Sequence, residues 1–547
     1  MDAVSSSIST SVATRPWLQA VVLSIAAFAV LSPNLDADFV WDDWQQIVDS
    51  PTLADPAAPA RYFTLNVVES YGSSGRGADG VDTYRPLFFV ALWMVHRIHG
   101  ADPFWFHLAV IVSHLGAGLL LWTLARRWLA SNLAAAAVFA VFVVHPVSAE
   151  GYLWPSAISE PLSVIGLLGA VLVVDAWGRA VERSVGAAMI GGLVMLLGLL
   201  SKEAVVTALP ALSLYLWRVR RVRLRALVGP WLAVAVFLAL RVSALAGLQA
   251  TGSGTAQRLD ALRNLPVLAL DALRAMVTLQ PVGMRQLYWD YRGLSWVASA
   301  GALLLVTGLA LVLWRSRRKL PLSLTAFAVT VCMLVPVALV STVPGWGGFG
   351  RYLYLPWAVT ALALAEAGLR LSPVLAERAP RLRWAVAAVA LVFLAFELVG
   401  LRHALDVFSS QEHLARAAIE LQPNAPDGWL WLGNSHIERG DLPTAARCYA
   451  EAVAIAPDLY DARHNLAAAL LHLGRPAEAL EHEIAVRNAH GVTAEGAIIA
   501  VRALLALGRQ DEAIAWLRDG LAVDPDNAVL LELKSSLVSG APEPPPR

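Results

Sequence analysis

The sequence predicts an all-α protein in which a polytopic bundle of about 11 membrane-spanning helices precedes a helical repeat solenoid. Two observations predict this fold: residues 17–402 contain a series of long apolar runs, and residues 403–535 repeat at a fixed interval. The composition agrees, because 57% of the 547 residues are hydrophobic, 15% are charged and the mean hydropathy is +0.58. Soluble proteins carry about 25% charged residues.

Net charge and cysteine content argue against a nucleic-acid-binding protein and against a disulfide-stabilised protein. The formal net charge is zero, so the chain lacks the basic excess of nucleic-acid-binding proteins, and we expect no nucleic acid as a partner. Cys332 lies in an apolar run and Cys448 in the more polar tail, and we expect two unpaired thiols rather than a disulfide framework. Membrane lipids are the surroundings that this composition predicts.

The apolar runs have the length of membrane spans, since a helix needs about 20 mostly apolar residues to cross a bilayer. The first run, Trp17 to Leu31, follows Arg15 but lacks a cleavage pattern of small residues, so we expect a retained span rather than a signal peptide. Two shorter or interrupted stretches, 86–98 and 262–280, are predicted to be interfacial or re-entrant helices. The predicted spans are 17–33, 104–124, 132–147, 157–177, 185–200, 204–217, 226–246, 295–314, 321–343, 354–370 and 384–401.

The charges of the connectors predict the orientation of the bundle, because basic connectors stay in the cytoplasm. With this span list, every strongly basic connector falls on the same side as the N-terminal segment 1–16. The outer loops 34–103 and 247–294 and the repeat tail fall on the opposite side. An Ala-, Leu-, Val- and Arg-rich composition is typical of a high-GC bacterium, so we expect an inner-membrane protein with a periplasmic repeat domain. The basic connectors contain Arg126-Arg127, Arg179 and Arg183, Arg218 to Arg221, Arg315 to Lys319, and Arg378 to Arg383.

The tail repeats every 34 residues, which is the period of tetratricopeptide helix–turn–helix units. The recurring residues are Gly440, Gly474 and Gly508, and Ala445, Ala479 and Ala513. Such units stack into a concave surface that binds an extended peptide or an acceptor protein, although a purely structural scaffold has the same pattern. The final segment, 536–547, ends in Ala-Pro-Glu-Pro-Pro-Pro-Arg and is predicted to be disordered.

Ionisable residues cluster on the predicted outer face. Asp42 and Asp43 follow the first span, and a carboxylate beside a hydroxyl acts as a general base, whereas solvated acids of an interfacial loop have the same pattern. Arg85, Lys202 and Arg351 stand at the ends of apolar segments, where cations bind phosphate, contact lipid headgroups or extend to the interface.

Acidic groups close to the spans complete the set. Glu160 begins an apolar run, where a carboxylate is costly unless it faces the protein interior or a wet cavity, and Glu203 adjoins Lys202. His145 and Glu150 lie in His-Pro-Val-Ser-Ala-Glu directly after a span. Together with Asp43, Glu150 is a candidate ligand of a divalent metal.

The order of these motifs resembles the transmembrane and tetratricopeptide repeat-containing protein O-mannosyltransferases, which belong to the GT-C class of membrane glycosyltransferases. The resemblance covers residues 17–535 and rests on F-V-W-D-D-W, Y-R-P-L, H-P-V-S-A-E, S-K-E, R-Y-L-Y-L-P and the repeats. It implies a polyprenyl-phosphate sugar donor and transfer to Ser or Thr of proteins on the non-cytoplasmic side. It departs where the family often has Arg-Ala-Asp and this chain has Ile158-Ser159-Glu160.

The resemblance also implies roles for single residues. Asp42 and Asp43 match the catalytic acids, with Asp42 as the base and Asp43 orienting, and an inverting reaction. Two other functions remain open: a GT-C transferase with a lipid or glycan acceptor, and a non-enzymatic membrane scaffold or transporter. The remaining matches are Arg85, Lys202 and Arg351 at the donor phosphate, and His145, Glu150, Glu203 and Tyr354 as supporting residues, while Glu160 lies at the point of departure.

Overall fold

A computed structural model describes residues 15–65, 83–245, 255–276, 295–340, 350–378 and 380–539. Within these ranges the chain is helical and contains no β-strand, as predicted. The N-terminal segment up to residue 14, parts of both outer loops and the end of the tail lie outside the described residues. Both cysteines lie inside them and are free thiols.

The chain divides into two compact units between Ser410 and Gln411. The predicted boundary after residue 402 falls inside helix Pro380–Val407, which belongs to the first unit. Burial explains the difference, since Leu401 and Phe408 are 1% and 3% exposed. Apolar packing therefore continues past the end of the last apolar run.

The described part of the first unit contains nine helices that are long and apolar enough to cross a membrane. They coincide with nine of the eleven predicted spans, and the protein is an integral membrane protein. The nine helices are Pro16–Leu31, Pro103–Leu129, Ser159–Trp177, Ser184–Ser201, Leu224–Ala244, Trp296–Ser316, Pro321–Val340, Tyr354–Arg378 and Pro380–Val407.

The other two predicted spans are shorter than the sequence indicated. Segment 132–147 forms a 13-residue helix, Asn132–Val144, which at about 1.5 Å per residue is about 20 Å long and shorter than a bilayer core of about 30 Å. Pro146 restricts the residue before it to extended backbone, so the helix ends and a 3₁₀ turn follows. Segment 204–217 forms a 3₁₀ turn and the 10-residue helix Leu209–Arg218. Each turn carries residues of the candidate site.

The two predicted interfacial segments are helical where they are described. Pro86–His99 begins with proline in its first turn and ends at Gly100, whose φ of +69° favours glycine. This helix packs against Ser184–Ser201 and starts directly after Arg85. The second segment corresponds to helix Thr255–Ala275. The first of these helices fixes the position of one predicted phosphate ligand.

Three predicted cytoplasmic connectors meet at one carboxylate. Asp175, at the end of Ser159–Trp177, has a fully buried side chain that lies 3.2 Å from Arg127 Nε, 2.9 Å from Arg179 Nη2 and 2.8 Å from Arg220 Nε. These arginines come from three different connectors, so the connectors share one end of the bundle, as the sequence predicted. That this end faces the cytoplasm stays a prediction.

The second unit is a stack of paired helices with the predicted period. Gly440, Gly474 and Gly508 have φ of +75°, +73° and +72°, the left-handed backbone that favours glycine in a tight turn. Ala445, Ala479 and Ala513 are fully buried between helices. The helices are Gln411–Leu421, Pro426–Glu438, Leu442–Ile455, Tyr460–His472, Pro476–His490, Ala494–Ala506, Gln510–Val523 and Ala528–Ser539.

The end of this unit corrects the predicted disordered tail. Helix Ala528–Ser539 continues into segment 536–547, because Leu530 and Leu533 are fully buried and anchor it on the stack. The rest of the segment, from residue 540, lies outside the described residues. Two consecutive repeats each contain the same ion pair between an arginine and a glutamate three residues later. The closest atoms are 2.6 Å apart in Arg475–Glu478 and 2.7 Å apart in Arg509–Glu512.

Candidate active site

The acidic pair lies in a tight turn that separates its two side chains. The Asp43 backbone N–H donates to the Val40 carbonyl at 3.0 Å, and Asp43 Oδ2 accepts from the Val40 N–H at 3.1 Å. Trp41 has a φ of +52°, which is uncommon for a residue with a side chain. Asp43 Oδ1 accepts from the Ser156 N–H at 2.8 Å and from Ser156 Oγ at 2.6 Å. Asp43 therefore ties the outer loop to the 3₁₀ turn Pro155–Ile158.

The two aspartates consequently have different environments. Asp43 is fully buried, and burial raises its pKa to about 7, while its bonds from Ser156 and Val40 oppose the rise. The Asp42 side chain is 32% exposed, and its Oδ2 lies 3.9 Å from Arg351 Nη1. The structure thus places Asp42 at the cation site and Asp43 behind it.

Arg351 is held by its backbone and by aromatic rings. Its N–H donates to Glu150 Oε2 at 3.1 Å, and burial raises the pKa of Glu150 while the Arg351 charge opposes that rise. Its guanidinium carbon lies 6.0 Å, 5.8 Å and 5.7 Å from the ring centres of Trp41, Trp154 and Tyr352. Arg351 Nε is buried, and no acceptor among the described residues reaches it.

The other two predicted phosphate ligands are each paired with a carboxylate. Arg85 forms a bidentate contact with Glu203, with Nε–Oε2 at 3.0 Å and Nη2–Oε1 at 2.9 Å. Burial acts against ionisation of Glu203, but the Arg85 guanidinium outweighs it and lowers the pKa of Glu203 to about 2. Lys202 Nζ pairs with Glu160 Oε1, and both side chains are nearly buried. Glu160 therefore has the interior partner that an acid in an apolar run requires.

The three cations lie in one cluster around Tyr352. Lys202 Nζ is 4.8 Å from the Tyr352 ring centre, and the same ring contacts Arg351. Burial lowers the pKa of Lys202 to about 8; Glu160 opposes this shift, whereas the Arg85 and Arg351 charges add to it. The structure therefore brings Arg85, Lys202, Arg351 and Asp42 together, and their roles stay predictions.

His145 and Tyr354 lie in the packed layer behind this cluster. His145 Nδ1 accepts from the Val147 N–H at 2.9 Å, and its Nε2 lies 3.1 Å from Glu397 Oε1 of the last long helix. The Tyr354 hydroxyl lies 2.6 Å from His114 Nδ1, and both side chains are fully buried. These contacts support the turn Pro146–Gly151.

Several residues that form the site were not predicted from the sequence. Tyr352 and Trp41 adjoin selected residues, so only the fold distinguishes them from interfacial aromatics. Ser156 gives no signal of its own. Glu397 is an acid within an apolar run, and the rule that selected Glu160 also applies to it.

The contacts of Asp43 do not suit a role as a ligand of a divalent metal. Both oxygens of Asp43 accept hydrogen bonds from protein donors, and Glu150 Oε2 accepts from the Arg351 backbone. Across the described segments, no three His, Cys, Asp or Glu side chains are grouped as a metal site.

The fold and the site together define a class: an integral membrane protein whose ionisable residues meet at the ends of short, interrupted helices, followed by a repeat solenoid. A tetratricopeptide repeat family model matches residues 410–460 and 432–489. This match confirms the predicted type of repeat.

The relatives of the chain agree with the resemblance drawn from the motifs. It is 25% identical over 194 residues to protein O-mannosyl-transferase F38B6.6 of Caenorhabditis elegans, covering 35% of this chain and 26% of that protein. It is 26% identical over 186 residues to protein O-mannosyl-transferase Tmtc1 of Drosophila melanogaster, covering 34% and 21%. It is 30% identical over 134 residues to protein O-mannosyl-transferase TMTC1 of Homo sapiens, covering 24% and 15%. The chain thus spans about a quarter or less of the length of these relatives.

Proposed function

We propose that the protein is a membrane glycosyltransferase that moves a sugar, mannose by similarity to its relatives, from a polyprenyl-phosphate donor to Ser or Thr hydroxyls of exported proteins. One observation carries the proposal: Asp42 is partly exposed and 3.9 Å from the Arg351 guanidinium, while Asp43 is buried and saturated with hydrogen bonds. A partly exposed carboxylate beside a cation supplies both groups that the reaction needs, a proton acceptor and a phosphate ligand.

The proposed step is an inverting displacement at the anomeric carbon. Asp42 accepts the proton of the acceptor hydroxyl, and the hydroxyl oxygen forms the new bond to the anomeric carbon. The bond from that carbon to the phosphate oxygen breaks, and the lipid phosphate departs with the electron pair. Arg351 stabilises the negative charge of the departing phosphate. Lys202 and Arg85, in the same cluster, stabilise that charge further.

The distance between Asp42 and Arg351 constrains how the donor binds. In an inverting reaction the base and the leaving group lie on opposite faces of the sugar. A separation of 3.9 Å between Asp42 and Arg351 leaves no room for a sugar ring. The donor must therefore displace the more exposed Asp42 side chain from Arg351 when it binds.

Protein is the acceptor class that the architecture favours. Stacked tetratricopeptide repeats present a concave surface suited to an extended polypeptide. The relatives are named as protein O-mannosyl-transferases. A lipid or glycan acceptor gives no reason for a repeat domain that occupies the chain after residue 410.

Two experiments test the function. Mass spectrometry of envelope proteins from a deletion strain should show loss of hexose on Ser or Thr, and complementation with Asp42→Asn/Asp43→Asn should not restore it. Restoration by the double variant would remove the carboxylate mechanism. Loss of a lipid or wall-glycan modification, with protein glycosylation unchanged, would assign the enzyme to the other acceptor class. The anomeric configuration of the product tests inversion.

A further inference from the structure

The three cations of the site are held in two different ways. Arg85 directs two guanidinium nitrogens to Glu203, and Lys202 directs its ammonium to Glu160. Arg351 has no such bidentate partner among the described residues, because Asp42 lies 3.9 Å away and Nε has no acceptor there. Its side chain nevertheless lies in a protected position, with 20% of its surface exposed.

Aromatic rings take the place of a carboxylate around Arg351. The ring centres of Trp41, Trp154 and Tyr352 all lie within 6.0 Å of the guanidinium carbon. A ring attracts a cation through its electron-rich face and accepts no N–H bond in the plane of the guanidinium. Contacts of this kind hold the arginine without using its N–H donors.

Tyr352 makes this contact with two cations at once. Its ring centre lies 4.8 Å from Lys202 Nζ and 5.7 Å from the Arg351 guanidinium carbon. Two like charges repel each other, and a ring that attracts both offsets that repulsion. The ring therefore sets the spacing of the two cations.

Trp41 is held on the other side by a strained turn. Its φ is +52°, and the bonds between Asp43, Val40 and Ser156 fix the turn in this conformation. The Trp41 ring stacks on Trp154 with ring centres 4.8 Å apart. Strained backbone of this kind persists where the surrounding structure fixes it, and it clusters at functional sites.

We propose that Trp41 and Tyr352 are positioning residues that hold Arg351 so that its guanidinium faces the phosphate of the lipid-linked donor. The inference rests on the proposed function and adds the residues that shape its phosphate site. The aromatic surface, and not the phenol of Tyr352 or the indole N–H of Trp41, is the required feature.

Equilibrium binding of radiolabelled undecaprenyl phosphate to the full-length protein in nanodiscs tests the proposal. Trp41→Leu and Tyr352→Leu should each weaken binding by about 2- to 30-fold, the range of a cation–π contact from exposed to desolvated sites. Trp41→Phe and Tyr352→Phe keep a ring and should stay within about twofold of the wild type. Trp217→Leu is the matched control, because this ring lies 4.0 Å from the Arg218 guanidinium carbon and outside the site.

A double-mutant cycle separates positioning from a general loss of structure. If Trp41 acts through Arg351, Trp41→Leu should have no further effect in an Arg351→Ala background. Leucine variants that bind as tightly as the wild type, or an equal loss in both backgrounds, would overturn the inference and leave the proposed function standing. A wild-type protein that binds no undecaprenyl phosphate would instead overturn the proposed donor, and the inference with it.

Discussion

The adjacent aspartates differ in the atoms that surround them. Asp43 accepts three hydrogen bonds in a closed turn, and Asp42 faces a guanidinium at 3.9 Å with a third of its side chain exposed. Neighbouring residues of one turn therefore have separate tasks. Asp43 holds the loop, and Asp42 lies at the proposed substrate site.

Separate substitutions should distinguish these tasks. Asp42→Asn should lower sugar transfer by about 100-fold or more, the usual effect of losing a general base, with little change in Tm. Asp43→Asn should lower the free energy of unfolding by about 1–3 kcal/mol, because an amide cannot accept both sets of bonds. Transfer assays and thermal unfolding check both. A stable Asp43→Asn protein together with an unstable Asp42→Asn protein would contradict the assignment.

Titration of the single residue Lys202 should make phosphate binding at the site depend on pH. Its pKa is lowered to about 8 by burial, so the ammonium is charged below that pH and neutral above it. Phosphate binds the charged form, and affinity for undecaprenyl phosphate should fall above pH 8 by up to about tenfold per pH unit. Lys202→Arg, which stays charged, should remove this fall. Dissociation constants between pH 7 and pH 10 measure it, and an equal slope in both proteins would contradict it.

At the scale of elements, short 3₁₀ turns at the ends of helices position several residues of the candidate site. The 3₁₀ turns Pro146–Gly151 and Glu203–Ala208 overlap the ends of two predicted spans. They contain Glu150 and Glu203, and His145 and Lys202 directly precede them. Apolar residues of these turns continue the apolar runs of the helices beside them. An apolar pattern alone therefore predicted one continuous span in each case. Pro146 and Pro210 were local signals of these breaks.

Side-chain pairing was less predictable than the elements. The motif residues could be selected by charge at the edge of apolar runs, but Glu160 and Lys202 are 42 positions apart, and only the tertiary fold brings them together. The choice between Tyr352 and Tyr354 depended on where a 3₁₀ turn becomes a helix, because Gly350–Leu353 ends one residue before Tyr354. Neither apolar pattern nor residue type fixes that boundary.

The repeat turns give a prediction for single elements. Gly474 has a φ of +73°, and an added Cβ would have no neighbour within 4 Å, so only the backbone opposes a side chain. Gly474→Ala should cost about 1–2 kcal/mol, and Gly474→Asn should cost less because Asn tolerates the left-handed region. Hydrogen exchange of the flanking helices measures the effect. Equal losses for Ala and Asn would show that another cause dominates.

At the scale of the whole molecule, charge is divided between two regions of the bundle. One end collects the arginines around Asp175, and the other polar cluster joins cations to acids at the candidate site. The connector charges predicted the arginine-rich end alone, because basic residues of short loops are visible in the chain. Asp175 itself was not selected.

Cysteine labelling checks the orientation that this division predicts. Arg183→Cys, in a basic connector, should stay unlabelled by a membrane-impermeant maleimide in intact cells and react after lysis. Asp441→Cys, at a position 45% exposed in the repeat unit, should react from outside. The native Cys448 is 5% exposed and gives a low background. Labelling of both positions from one side would contradict the predicted topology.

The repeated ion pairs of the second unit have an evolutionary consequence. Gly474-Arg475 and Gly508-Arg509 are the same dipeptide at the same turn, with φ of +73° and +72° at the glycines and a matching glutamate three residues after each arginine. Recombination between these two turns would remove or duplicate one complete helix pair and leave the same Gly-Arg turn at the junction. The length of the solenoid, and with it the longest polypeptide it accommodates, would then change in discrete steps during the divergence of related proteins.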